Sequence, residues 1–164
     1  MRRARRHTDK PLIYDHEKAG TDIPNTAEGF KSILADAGVD AIILFPFAGP
    51  VTQTAWTRAA AERGLGVVIG AHVSRLDFLS EDGGYVPLAS VEPIYRLASD
   101  SGVTDFMVPG NDREAMIRIR SIVAEGADDV VFYAPGFISQ GGRISDLCAR
   151  RRGPMARDRR QSRP

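Results

Sequence analysis

The chain reads as an α/β protein built on a parallel sheet, and three observations predict it. Four times a helix-like stretch closes on glycine, at Gly38, Gly64, Gly102 and Gly126, and gives way to an apolar run. Those runs are β-branched and aromatic without strict alternation, the pattern of strands buried on both faces. The stretches between them carry apolar residues at helical spacing, so strands and helices alternate along the chain. With 164 residues, 43% of them hydrophobic, one domain with a real core is expected.

The elements follow in order. The first apolar run, 11–14, reads as a buried strand leading to Asp15. Asn25, with Glu28 three residues on, is spaced like a capping box that opens a helix. Phe30, Ile33, Leu34 and Ala37 then keep the i, i+3, i+4, i+7 rule and form one apolar stripe. Gly38 ends that helix, since glycine accepts the left-handed conformation that follows a last helical turn. The run 39–47, centred on Ala41-Ile42-Ile43-Leu44-Phe45, is the second strand. Residues 52–63 supply the next helix, and Trp56 and Phe47 are expected to pack between helix and sheet. Val67-Val68-Ile69, within 65–73, is the third strand, and 90–100 the helix after it. Phe106-Met107-Val108, within 103–109, is the fourth strand. Asn111 with Glu114 repeats the capping-box spacing, and Ala115, Ile119, Ile122 and Val123 repeat the stripe. Val130-Val131-Phe132-Tyr133, within 130–136, is the fifth strand. Five strands alternating with four helices imply right-handed crossovers, which a doubly wound sheet and a piece of a (β/α)8 barrel both satisfy.

The charge is segregated. Thirteen of the 22 basic residues lie in 1–10 and 143–164, whereas 11–142 holds nine basic side chains against 18 acidic. An acidic body argues against a nucleic-acid surface there. The basic segment 1–10 and the Arg-rich tail 143–164 look foreign to what lies between them, and the end of the tail, 148–164, lacks apolar periodicity and is expected to be disordered. No apolar run approaches the roughly 20 residues that span a bilayer, and no signal-peptide apolar region follows the basic start. A soluble, cytoplasmic protein without membrane partners is expected. Cys148 is the only cysteine, so an intrachain disulfide and a cysteine-based zinc site are excluded.

Polar residues separate the two sheet architectures. Each strand ends in residues suited to chemistry: Asp15 and Lys18, then Pro46-Phe47-Ala48-Gly49, His72-Val73-Ser74, Pro109-Gly110-Asn111, and Pro135-Gly136 leading to Gln140-Gly141-Gly142. A barrel brings all such ends to one mouth. The fold expected is therefore a parallel (β/α) barrel of the TIM type, incomplete, with about five of eight βα units, over 11–142. Within it the stretch 14–26 is the densest in function, because two carboxylates and an ammonium at a strand end are costly to desolvate unless chemistry uses them. Taken singly, Asp15 and Lys18 also suit a surface ion pair, Ser74 a cap and Gln140 a plain turn. His16 and His72 read as structural.

The order Asp15, Lys18, Asp22-Ile23-Pro24, Thr26, then Pro135-Gly136 and Gln140-Gly141-Gly142, resembles orotidine 5′-phosphate decarboxylase, particularly its archaeal members. The resemblance runs over 11–142. Related sugar-phosphate enzymes, hexulose-phosphate synthase and ketogulonate-phosphate decarboxylase, share the Asp, Lys, Asp order but usually lack the Ile-Pro that follows Asp22.

The resemblance implies decarboxylation without cofactor or metal on a nucleotide substrate. By similarity, Lys18 stabilises the carbanion left at C6 of the pyrimidine and then protonates it. Asp15 holds the ammonium and crowds the substrate carboxylate. Asp22, Ile23 and Thr26 reach into the active site of a homodimer partner, Asp22 completing the charge array and Thr26 bonding the ribose. Ser74 matches the position whose hydroxyl bonds the pyrimidine amide, and Gln140 with the Gly141-Gly142 backbone matches the phosphate loop.

Three departures qualify what is implied. The spacing Asp-x-x-Lys-x-x-x-Asp is one residue longer on each side of the lysine than the commonest family form, so a bulge or an early strand end must restore the aim of Lys18. The first two barrel strands, with an Asp and a Lys of the site, and the eighth, with a phosphate-gripping Gly-Arg pair, have no counterpart in the sequence. Truncation at both ends is the expectation. Two further classes therefore stand beside the decarboxylase: a catalytically inactive barrel fragment of that family, and a sugar-phosphate decarboxylase or aldolase relative that depends on magnesium.

Overall fold

A computed structural model describes residues 2–15, 23–126 and 129–136. After a short helix α1 (Arg2–Arg5), strands β1 (Ile13–Asp15), β2 (Ala41–Leu44), β3 (Gly66–Gly70), β4 (Asp105–Met107) and β5 (Val131–Tyr133) alternate with helices. The helices are α2 (Ala27–Asp36), α3 (Pro50–Glu62), α4 (Val91–Asp100) and α5 (Arg113–Val123). All four strand pairings are parallel, and the sheet order is β1-β2-β3-β4-β5. A doubly wound sheet reverses its order at a switch point, and this one does not. The five units are consecutive staves of a (β/α) barrel, as expected.

The stop glycines act as the sequence predicts at three of four places, Gly38, Gly64 and Gly102 having positive φ. Gly126 is glycine for room instead: a Cβ there would lie 2.5 Å from Ser99 Oγ. The capping boxes are not formed. Thr26, not Asn25, holds the cap place of α2 and makes no side-chain cap bond, because Asn25 is already inside a short 3-10 turn, Pro24–Thr26. At α5 the cap is Asp112, whose carboxylate accepts from the Ala115 N–H at 2.9 Å, and Asn111 is released for another role.

Side chains alternate across the sheet. Ile42, Leu44, Ile69, Phe106 and Val108 lie in the main core with Trp56 of α3, Tyr95 of α4 and Ile119 of α5. Ile43, Phe45 and Val68 form a second, smaller cluster, with Val73, Met107 and Tyr133 against it. That cluster is the inward face of the barrel. Trp56 packs between helix and sheet as expected, 2% exposed and 5.3 Å from the Phe30 ring. Phe47 does not: it is 39% exposed and stands at the strand ends against Phe45 and Phe78, because the chain has already left β2. The run 11–14 is likewise less buried than expected. β1 is an edge strand, and Ile13 is 38% exposed.

Arg5 ties the segment before β1 to the fold. The Arg5 guanidinium donates to Gly38 O at 2.7 and 3.1 Å, to Lys10 O at 3.1 Å and to the Asp40 carboxylate. It thereby covers the end of α2 and the start of β2. Among the described residues no helix is long and apolar enough to cross a membrane.

Candidate active site

Parallel strands with helical returns bring all five C-terminal strand ends to one face. A cavity of about 670 Å3 opens there, lined by Asp15 from β1, Phe45 after β2, His72 to Arg75 after β3, Met107 from β4, and Tyr133 to Pro135 from β5. Its base is apolar, and polar groups stand on its walls.

Two of the site residues expected from the sequence meet in this cavity, Asp15 and Ser74. Asp15 is the last residue of β1 and pairs in register with Ile43, so its side chain is on the inward face. Ser74 follows β3 by four residues, and its carbonyl accepts from Asn111 Nδ2 at 2.9 Å. Ile23 and Thr26 are not among the residues lining it. Ile23 is 60% exposed just before α2, and Thr26 Oγ1 donates to Ile23 O at 2.8 Å, which ties the two into one turn. Lys18, Asp22, Gln140, Gly141 and Gly142 lie outside the described residues.

The wall is held by bonds that run past the strand ends. Val108 N donates to Tyr133 O at 2.9 Å and Gly110 N to Pro135 O at 2.7 Å, extending the β4–β5 ladder into the loops. Gly110 is required for that approach, since a Cβ there would sit 2.7 Å from Pro135 O. Behind the mouth, the buried Tyr95 donates its hydroxyl to Met107 O at 2.7 Å and accepts from Ala71 N at 3.2 Å. Burial raises its pKa, so it remains a donor. Tyr133 donates to Asp105 Oδ1 at 3.0 Å, and desolvation, with that carboxylate, raises its pKa too.

His72 is 5% exposed, and its ring stacks on Phe78 with centroids 5.9 Å apart. Burial holds its pKa below the usual imidazole range, which makes it a neutral wall. Sequence reasoning places Asn111 among the strand-end residues suited to chemistry and also as the cap of α5, because its spacing to Glu114 imitates a capping box; the structure keeps only the first of these. The signal that separates them is Asp112, a better-placed cap one residue later. Among the described residues, no group of three or more His, Cys, Asp or Glu side chains is placed to hold a metal ion.

No family model matches the chain. It is 31% identical over 140 residues to orotidine 5′-phosphate decarboxylase of Methanosarcina barkeri, covering 85% of this chain and 58% of that relative. It is 30% identical over 138 residues to the enzyme of the same name from Methanosarcina mazei, covering 84% and 58%. Among solved structures, orotidine 5′-monophosphate decarboxylase from Methanocaldococcus jannaschii, complexed with the inhibitor BMP, superposes with a TM-score of 0.70 at 23% identity, covering 89% of this chain and 62% of that one. Orotidine 5′-phosphate decarboxylase from Pyrococcus horikoshii OT3 gives 0.66 at 23%, covering 88% and 62%. The chain therefore spans about three fifths of the length of the relatives it matches. It resembles the archaeal orotidine 5′-phosphate decarboxylases in sequence and shares their fold.

Proposed function

We propose that this chain is an orotidine 5′-phosphate decarboxylase by descent, converting orotidine 5′-monophosphate to uridine 5′-monophosphate and CO2, a step of de novo pyrimidine synthesis in the cytoplasm. The observation that carries the reading is the pairing of Asp15 and Ser74 in one cavity at the strand ends. Asp15 ends one strand and Ser74 follows another, and in this reading both act on the same substrate.

In this reading the bond from C6 to the carboxylate breaks, its electron pair stays on C6, and CO2 leaves. Lys18 meets that charge and then gives C6 a proton. A cation in a water-poor site interacts more strongly with charge that appears only in the transition state than with the neutral ring before it. Asp15 holds the ammonium, and Asp22 completes the array of charges. Ser74 bonds the pyrimidine amide, and Gln140 with the Gly141-Gly142 backbone takes the phosphate. No cofactor or metal takes part.

We assign Ile23, Thr26 and Asp22 to the active site of a homodimer partner. The turn that ties Ile23 to Thr26 supports this, since it is exposed and neither residue lines the chain's own cavity. A monomeric mass by light scattering at assay concentration contradicts the assignment.

One observation favours a second reading, in which the five units do not turn over substrate unaided. Ile13 and Val131, on the inward face of the two edge strands, are 38% and 48% exposed. A closed barrel buries such positions. The two readings separate on following uridine 5′-monophosphate formation from orotidine 5′-monophosphate in the presence of EDTA. Product formed under chelation supports the decarboxylase and excludes a magnesium-dependent sugar-phosphate relative. No product supports the inactive fragment.

A further inference from the structure

We propose that Phe45 is a specificity-determining residue: its ring, laid over Gly70, makes the floor of the mouth cavity and limits the bound base to a single ring. The inference rests on the nucleotide reading of that cavity. Its geometry stands on contacts that the reading does not use.

Phe45 follows the last residue of β2, and the Leu44–Ile69 pairing brings it opposite Gly70 of β3. Both residues are on the inward face, with Ile43 and Val68 one step below. An ideal Cβ on Gly70 would lie 2.5 Å from Phe45 Cε1 and Cζ, and 3.1 Å from Met107 Cβ. Any side chain at 70 would therefore collide with the far edge of the ring. The glycine's φ is not in the left-handed region, so it is there for space and not for conformation. Phe45 is only 4% exposed yet lines the cavity, with Phe47 5.9 Å away beside it. What it presents to a ligand is purely apolar, so hydrogen bonds to a base must come from the walls.

An apolar floor of this kind selects by size, because it offers no bond that a larger base loses. Phe45→Ala removes one phenyl ring of volume, close to the extra ring that separates a purine from a pyrimidine. The parent is expected to bind uridine 5′-monophosphate in preference to guanosine 5′-monophosphate. In Phe45→Ala the ratio of the two dissociation constants should fall about tenfold, through gained purine binding.

Thermal unfolding of Gly70→Ala, Phe45→Leu and the double variant tests the floor without any ligand. Gly70→Ala should lower the midpoint, and Phe45→Leu in the same chain should recover most of the loss, because leucine lacks the colliding edge. Additive midpoints overturn the contact, and with it the floor. An unchanged ratio of constants, with uridine 5′-monophosphate still bound, overturns the specificity role alone. Should the parent bind neither nucleotide while the double variant recovers, the nucleotide reading of the cavity fails, and the specificity role with it, and only the packing stands.

Discussion

Lys31 is the most unusual side chain of the core. It is fully buried on α2, its Nζ lies 4.9 Å from the centre of the Trp56 ring, and it has no hydrogen-bond partner among the described residues. Desolvation lowers its pKa from 10.5 to about 7. The sign of the pH effect follows. Below about pH 7 both folded and unfolded chains carry the proton, and the burial penalty is felt in full. Between 7 and 10.5 only the unfolded chain holds it, so stability rises with pH across that window. Lys31→Met keeps the stem and removes the ammonium. It should stabilise the chain at neutral pH by on the order of 1–3 kcal/mol and flatten that rise, as urea unfolding at several pH values will show. Nothing in the sequence marked this lysine as buried, since charged residues at helical spacing ordinarily face water.

Asn111 was legible as a strand-end residue, but its spacing to Glu114 also read as a helix cap, a place that Asp112 takes. The Asn111 amide pins the Ser74 carbonyl across the mouth, a bond between the β3 and β4 loops. Asn111→Ala should weaken binding of uridine 5′-monophosphate several-fold, about 1 kcal/mol, with little change in the unfolding midpoint. Calorimetric titration beside a thermal melt separates the two effects. Asp15 and Ser74 were legible because they end apolar runs, and strand ends in a parallel sheet converge whatever the loops between them do.

At the scale of elements, the helix and strand grammar was readable because each boundary has a local cause. Gly38, Gly64 and Gly102 end helices by adopting a conformation that other residues resist. What escaped was tertiary in origin. The edge position of β1 exposes Ile13, and the chain's departure from β2 exposes Phe47, and neither follows from the residues in the run. α1 is the clearest case. Its arginines read as a foreign basic stretch, yet Arg5 reaches across to Gly38 and Asp40. The Leu12 N–H first, then Arg5, hold the Asp40 carboxyl below its ordinary value of 3.8. That stabilisation is fully present above pH 3.8 and is lost as pH falls through the lowered value. Arg5→Ala should lower the melting midpoint at pH 7 and make the acid loss shallower, whereas Arg3→Ala should do neither. Melts at pH 7 and pH 3 check both.

For the molecule as a whole, parallel order and sequential strands decide the architecture; the sequence supplied the first through its alternating elements and reached the second only indirectly, through the polar residues at its strand ends. Alternating helices and strands fit a doubly wound sheet equally well until pairing shows that the order never reverses. The mouth cavity follows from that order, because it puts the ends of β1 and β3 on either side of Phe45. Asp15 and Ser74 both line that cavity, beside the apolar side chains of Phe45 and Met107.

The most direct test of this account is release of CO2 from orotidine 5′-monophosphate labelled in its carboxylate, measured for the parent chain and for Lys18→Ala. The account predicts a release above the uncatalysed rate that the substitution abolishes, slow in the parent because Ile13 and Val131 leave the inward face open to water. Equal release from both chains, at any rate above background, would contradict it.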